Sequence, residues 1–242
     1  MPPYTLAMLA SYVHGVCHLC KQAIPINPAR SIQGNILARS PLLCHHCHQT
    51  WVGRLPVFGI EVADSHIPLY VASHYDTPLN GVMSAFKDKG EVSALLVLYH
   101  LLRFIQLPPK LNATNAVLIP VPTTNSRLAE RGFYPVGVLT RYLSFLWQMP
   151  IWQGIGRIDN EIHQRGLGRG DRLNNVKEDF YLVEALPARH VILVDDVVTT
   201  GSTLSAMTHA LIQTFPKTAI SAVCVLHGRK DMHLPIFRHH AI

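Results

Sequence analysis

Apolar residues are arranged in two ways along most of this chain. Between Gly90 and Gln106 they recur every three or four residues, at Val92, Leu95, Leu96, Tyr99 and Leu102, which predicts a helix. Val136–Trp147 and Leu204–Phe215 read as further helices. Asn115–Val121, His190–Val194 and Ala219–Leu226 are instead unbroken apolar runs, as expected of strands buried on both faces, and Pro68–His74 reads as a short strand. Apolar strands separated by helices predict an α/β domain over about residues 59–242, with a parallel sheet flanked by helices.

The first 58 or so residues have a different texture. Pro25, Pro28, Gly34, Pro41 and Gly53 punctuate a stretch with little apolar periodicity. Its cysteines come as Cys17-His-Leu-Cys20 and Cys44-His-His-Cys47, two C-x₂-C pairs separated by 23 residues. Two such turns can present four thiolates tetrahedrally to Zn²⁺. A small N-terminal zinc-ribbon-like module over residues 1–58 is the expectation, with a structural metal compensating for a thin core. His18, His45, His46 and His48 crowd the pairs, so a histidine in place of one cysteine stays open. Cys224 falls mid-strand and reads as a core thiol.

Composition supports a folded chain: of 242 residues, 48% are hydrophobic and 15% charged. The formal charge of +6 makes an anionic partner plausible, whether nucleotide, sugar phosphate or nucleic acid. Residues 1–60 contain Lys21, Arg30, Arg39 and Arg54 and no acidic residue. Those cations would offset the −2 of a four-thiolate zinc site, so they are weak evidence for nucleic acid. Met1–Val16 lacks the features of an export signal, and Val92–Leu107, interrupted by His100 and Arg103, is too short to span a bilayer. A cytoplasmic location is therefore expected, where cysteines serve as thiols or metal ligands rather than disulfides.

The most informative segment is His190–Thr203, HVILVDDVVTTGST. An apolar strand leads into two carboxylates, then a small polar loop, then a helix. Ligands of open α/β sheets bind outside the carboxyl ends of the strands. Thr199, Thr200, Gly201, Ser202 and Thr203 place backbone N–H groups and hydroxyls at a helix N-terminus, ready for a phosphate. Asp195 and Asp196 would repel that phosphate but accept hydrogen bonds from vicinal hydroxyls. The combination describes a ribose 5-phosphate. No G-x-x-x-x-G-K-[ST] is present, and the glycines of Gly166-Leu-Gly168-Arg-Gly170 follow no strand, which argues against other nucleotide motifs.

The segment resembles the signature of the type I phosphoribosyltransferases. With the cysteine pairs, the whole chain resembles the ComF family of competence proteins. The resemblance extends through Tyr75, Phe86-Lys87, Ile119-Pro-Val-Pro122, Arg131-Gly-Phe133, Arg157, Gln164, Leu167, Arg172, Asn175-Val176 and Phe180. It implies phosphoribosyl pyrophosphate with Mg²⁺ as ligand, a pyrophosphate-side loop at Pro122–Arg127, and a mobile loop at Arg157–Asn175. Lys87, Arg127, Arg131, Arg157, Arg165, Arg169 and Arg172 become the candidates for the diphosphate. Asp88, Tyr134 and Glu161 stand where the family commonly has other residues.

The resemblance also implies a role in DNA uptake during natural transformation. Single-stranded DNA is then a partner, alongside uptake machinery or a helicase. Arg39, Trp51 and Arg54, with His46 and Phe58, are candidate contacts, and for Trp51 and Phe58 packing between domains is the alternative. An active pentosyltransferase using a nitrogenous acceptor, and a sensor in which the ligand orders the arginine loop, are the other readings. Neither the acceptor nor the catalytic residues can be named from the sequence.

Overall fold

The computed structural model describes residues 15–24, 42–53, 55–63, 65–158, 180–228 and 234–237. After a short helix α1 (His45–Trp51), the chain forms β1 (Phe58–Val62), β2 (Ser65–His74), α2 (Leu79–Lys89) and α3 (Val92–Leu102). Next come β3 (Ala116–Pro120), α4 (Asn125–Arg131), α5 (Pro135–Trp147), β4 (Ile155–Arg157) and β5 (Phe180–Leu182). The series ends with β6 (His190–Val198), α6 (Ser202–Thr214) and β7 (Ala219–His227). The main sheet runs β1-β2-β7-β6-β3, parallel throughout except for the β1–β2 pair, while β4 and β5 form a separate antiparallel ribbon.

Alternate residues of the central strands serve two cores, because successive side chains point to opposite faces. Ile192 and Val194 of β6 and Val223 and Val225 of β7 join Met83, Phe86, Leu95, Leu98, Leu139 and Leu143 from α2, α3 and α5. Val191 and Leu193, with Ala222 and Cys224, face Leu204, Met207 and Leu211 of α6. This two-sided burial explains why β6 and β7 read as unbroken apolar runs. β3 is an edge strand, where its terminal Pro120 leaves no central ladder bond unmade.

The structure refines the predicted bounds in one place that matters. β6 runs on to Val198, held by its pairing with Leu226 and His227 of β7. Asp195 and Asp196 therefore lie within the strand rather than just beyond its end. β1, α1, α2, α4 and the β4–β5 ribbon were not among the predicted elements. Cys224 is fully buried in β7, as a core thiol should be.

Candidate functional site

Three parallel strands set the stage. Pro120 at the end of β3 pairs with Val194, which precedes the acid pair, and Asp195 pairs with Cys224. Asp196 is buried at 6% exposure and Asp195 half-buried. The Asp196 N–H donates to Asp195 Oδ1 at 2.8 Å. Burial first, and then the adjacent Asp196 carboxylate, push the Asp195 carboxyl up to about 7, against the opposing pull of the Asp196 N–H, Lys87 and Arg157.

Helix α2 delivers a cation into this site. Lys87 Nζ lies 2.8 Å from Asp196 Oδ1, a pair made across 109 residues of sequence. Lys87 is held there by helix α2, which Leu79, Met83 and Phe86 anchor in the core. Arg157, the last residue of β4, sits over the Phe180 ring at 5.5 Å, so the ribbon orients its guanidinium. Arg131 is half-buried at the end of α4, and Arg127 is exposed in its first turn, where its N–H donates to Thr124 Oγ1 at 3.4 Å. Pro122–Arg127 is thus a short loop that has already become helix by Asn125. Arg165, Arg169 and Arg172 lie outside the described residues.

Past the acid pair, Thr199 and Thr200 form an exposed turn and Gly201 caps α6 at φ +79°. No side chain caps that helix in the usual way; the Ser202 N–H donates to Thr200 Oγ1 at a long 3.4 Å. Glycine is required here for two reasons. Its φ lies in the left-handed region, and an added Cβ would meet Ile60 Cγ2 of β1 at 3.2 Å. Gly201→Ala is expected to destabilise the protein by about 1–2 kcal/mol in denaturant unfolding; an unchanged midpoint would show that the loop relaxes freely.

Sequence reasoning passed over Tyr134 except as a departure from the family pattern. Its hydroxyl donates to the Val121 carbonyl, and burial, then Asp195 and Asp196, push the phenol above its ordinary range. It is a neutral wall beside the carboxylates.

The cysteines come together against the helical core cluster. The His18 N–H donates to the Leu42 carbonyl at 3.0 Å, joining the two turns. Cys44 caps α1, accepting from the Cys47 N–H. All four sulfurs of Cys17, Cys20, Cys44 and Cys47 lie within 4.8 Å of one another, and Cys20 Sγ is 3.6 Å from Cys44 Sγ. Ligands about 2.3 Å from a tetrahedral zinc are about 3.8 Å apart, so the set fits such an ion. The thiols show the same need. Burial and the neighbouring sulfurs raise Cys47, while for Cys17 the opposing N–H groups of Cys20, Cys44 and Leu19 overcome burial and bring it down to about 7. A shared cation lets all four ionise. Four close cysteines can therefore hold a metal ion such as zinc, and among the described residues no histidine joins the cluster. His48 turns away to His100 of α3, Nδ1 to Nε2 at 3.0 Å.

Of the nucleic-acid candidates, Arg39 and Arg54 lie outside the described residues. Trp51 is half-buried and packs on the helical core. Phe58 is buried in β1 and stacks on His227 at 4.6 Å, so it is a packing residue. No helix among the described residues is long and apolar enough to cross a membrane.

Comparison with known proteins agrees with this architecture. A phosphoribosyl transferase domain model matches residues 160–235. Competence protein F of Haemophilus influenzae is 29% identical over 206 residues, covering 82% of this chain and 84% of the relative. DNA utilization protein YhgH of Escherichia coli K12 is 25% identical over 228 residues, 83% of this chain and 92% of the relative. The Salmonella typhimurium protein of that name is 28% identical over 213 residues, 82% of this chain and 85% of the relative. With an α/β core, a carboxylate pair ahead of an uncapped helix and a four-cysteine cluster in one chain, the protein is similar to the competence protein F relatives along most of its length and carries a phosphoribosyltransferase-type fold.

Proposed function

We propose that this protein binds phosphoribosyl pyrophosphate at Asp195–Thr203 and acts in DNA uptake, handling incoming single-stranded DNA in the cytosol. The observation that carries the ligand is the uncapped N-terminus of α6, opening beside a partly buried carboxylate pair. Asp195 and Asp196 take the ribose hydroxyls, and Thr199, Thr200, Gly201, Ser202 and Thr203 the 5-phosphate. Lys87, Arg131 and Arg157, with Arg127, Arg165, Arg169 and Arg172, are the cations for the diphosphate. Mg²⁺ arriving with the ligand would neutralise diphosphate charge. The DNA role is supported by the names of the relatives, competence protein F and DNA utilization protein. Residues 1–58 form the zinc-binding module, in which the metal is structural because four thiolates leave no open coordination position, and residues 59–242 form the phosphoribosyltransferase-like domain.

Calorimetric titration of phosphoribosyl pyrophosphate with Mg²⁺ tests the ligand. Binding is expected, with stability raised by about 2.7 kcal/mol at a hundred times Kd. No heat and no shift in melting would remove the ligand from the reading. Binding of single-stranded DNA should weaken steeply with salt; affinity indifferent to salt would contradict it.

A further inference from the structure

A groove of about 400 Å³ opens at the amino-terminal edge of the sheet, at the opposite end of α6 from the phosphate loop. The His190↔Ala219 pairing brings the starts of β6 and β7 side by side, and the Ala219 N–H donates to the Arg189 carbonyl at 2.9 Å. Leu186, Ala188 and Phe215 form an apolar floor, since each packs against the core yet stays half-buried. Arg189 and Lys217 stand exposed at its rim, and no acidic side chain lines it. Among the described residues no hydrogen bond or ion pair engages either cation, whereas Lys87 and Arg103 are held by Asp196 and Tyr142.

Backbone acceptors lie open beside these cations. Helix α6 closes at Phe215 and Pro216 follows, so the Ile212 carbonyl loses its usual helical donor, because a proline has no N–H. The Thr218 N–H, which the Thr214 carbonyl would take in a continuing helix, donates instead to the Phe215 carbonyl at 3.0 Å. Among the described residues no backbone N–H reaches the carbonyls of Gln213 or Thr214.

From these features we infer that the groove docks a short acidic peptide segment of a partner protein, with an apolar side chain between its carboxylates. The carboxylates match Arg189 and Lys217, the apolar side chain covers the floor, and the peptide N–H groups answer the open carbonyls. A nucleic-acid strand would meet only the first of these needs. Its backbone offers phosphates and no N–H donor, and single-strand grooves rely on exposed aromatic faces. Phe215, the one aromatic in the lining, packs into the core instead. A groove of this size holds a few residues, so the contact is weak and reversible. It stands apart from the ribose phosphate site, because about 20 Å of strand separates Arg189 from Asp195.

The test follows backbone amide shifts of the full-length protein by NMR as blocked peptides are added. One peptide has a leucine between two pairs of glutamates, and a second has lysines in place of the glutamates. A leucine-free glutamate peptide and oligodeoxythymidylate complete the set. The glutamate–leucine peptide is expected to shift the amides of Ala188, Phe215 and Thr218, with an affinity that falls as salt rises. Arg189→Glu/Lys217→Glu, which changes two exposed side chains, should weaken it about tenfold or more and let the lysine peptide bind instead. Should the double variant not fold, Lys217→Glu alone carries the comparison, with a loss of about threefold. No shifts in the wild type, equal affinity for the leucine-free peptide, or indifference to charge reversal overturns the proposal. Tighter binding of oligodeoxythymidylate in the groove overturns it too, and assigns the surface to nucleic acid. None of these outcomes depends on whether phosphoribosyl pyrophosphate binds at Asp195–Thr203.

Discussion

Cys47→Ser is expected to abolish zinc binding and to unfold the segment around α1, with a loss of several kcal/mol. Cys47 Sγ belongs to the four-sulfur cluster and the residue is 4% exposed, so a serine there is both a poor zinc ligand and a buried hydroxyl. Structural zinc sites in small modules contribute roughly 10–16 kcal/mol of apparent binding energy, which is folding energy where no preformed site exists. The damage should spread beyond the module. Cys17, Leu42, Leu43 and Cys47 pack in the same apolar cluster as α3 and α5, and His48 reaches His100 in α3. Metal analysis and limited proteolysis are the measurements: one zinc per wild-type chain, none in the variant, and new cleavage near residues 42–53. Cys224→Ser is the control, since Cys224 lies in β7 and should keep the metal. A Cys47→Ser protein with its zinc and an unchanged melting curve would refute a structural ion.

The second large effect concerns the acid pair. The Asp195→Asn/Asp196→Asn double variant is expected to lose phosphoribosyl pyrophosphate binding by about a hundredfold or more, since hydrogen bonds to charged groups contribute roughly 1.5–3 kcal/mol each. The Asp195 carboxyl, raised to about 7, adds a pH signature. Raised above its unfolded value, it favours the fold fully below the unfolded pKa, and that contribution fades as pH rises through about 7. Ligand binding runs the other way, because only the carboxylate accepts freely from hydroxyls, so affinity should climb over the same window. Asp195→Asn alone should therefore be the more stable protein at pH 8, by less at pH 4, and should flatten the pH dependence of affinity. The ligand's own phosphate titration is common to both proteins and cancels in the comparison. A wild type whose stability and affinity both rise together through neutral pH would contradict this assignment.

How far the sequence could be read follows from where information is local. β6 and β7 announced themselves because both faces are buried and α5 because one face is, while α3, buried without interruption from Ala94 to Leu102, announced itself by its run of good helix formers. The glycine, hydroxyls and acid pair of HVILVDDVVTTGST likewise sit within a few residues of each other. β1 escaped notice because it is a short edge strand beginning after Pro56, and α2 because Gly81 and Asn80 interrupt its apolar spacing at Leu79, Met83 and Phe86. The extension of β6 to Val198 depends on register with β7, which no stretch of either strand specifies alone. The Lys87–Asp196 pair and the Tyr134 wall are products of tertiary folding, joining segments that periodicity treats separately. Lys87 was foreseen only as a partner for diphosphate, through the family resemblance.

That ion pair has a consequence for the order of events at the site. With Asp196 matched by Lys87 and the Asp195 carboxyl raised by burial and by its neighbour, the pair presents less negative charge than two free carboxylates. A bare divalent cation finds little to neutralise there, so metal should enter only as a chelate of its diphosphate. If sugar hydroxyls engage Asp196 as proposed, the Lys87 ammonium would be freed for the incoming oxygens, and recognition would be an exchange of counter-ions rather than the filling of a charged hole.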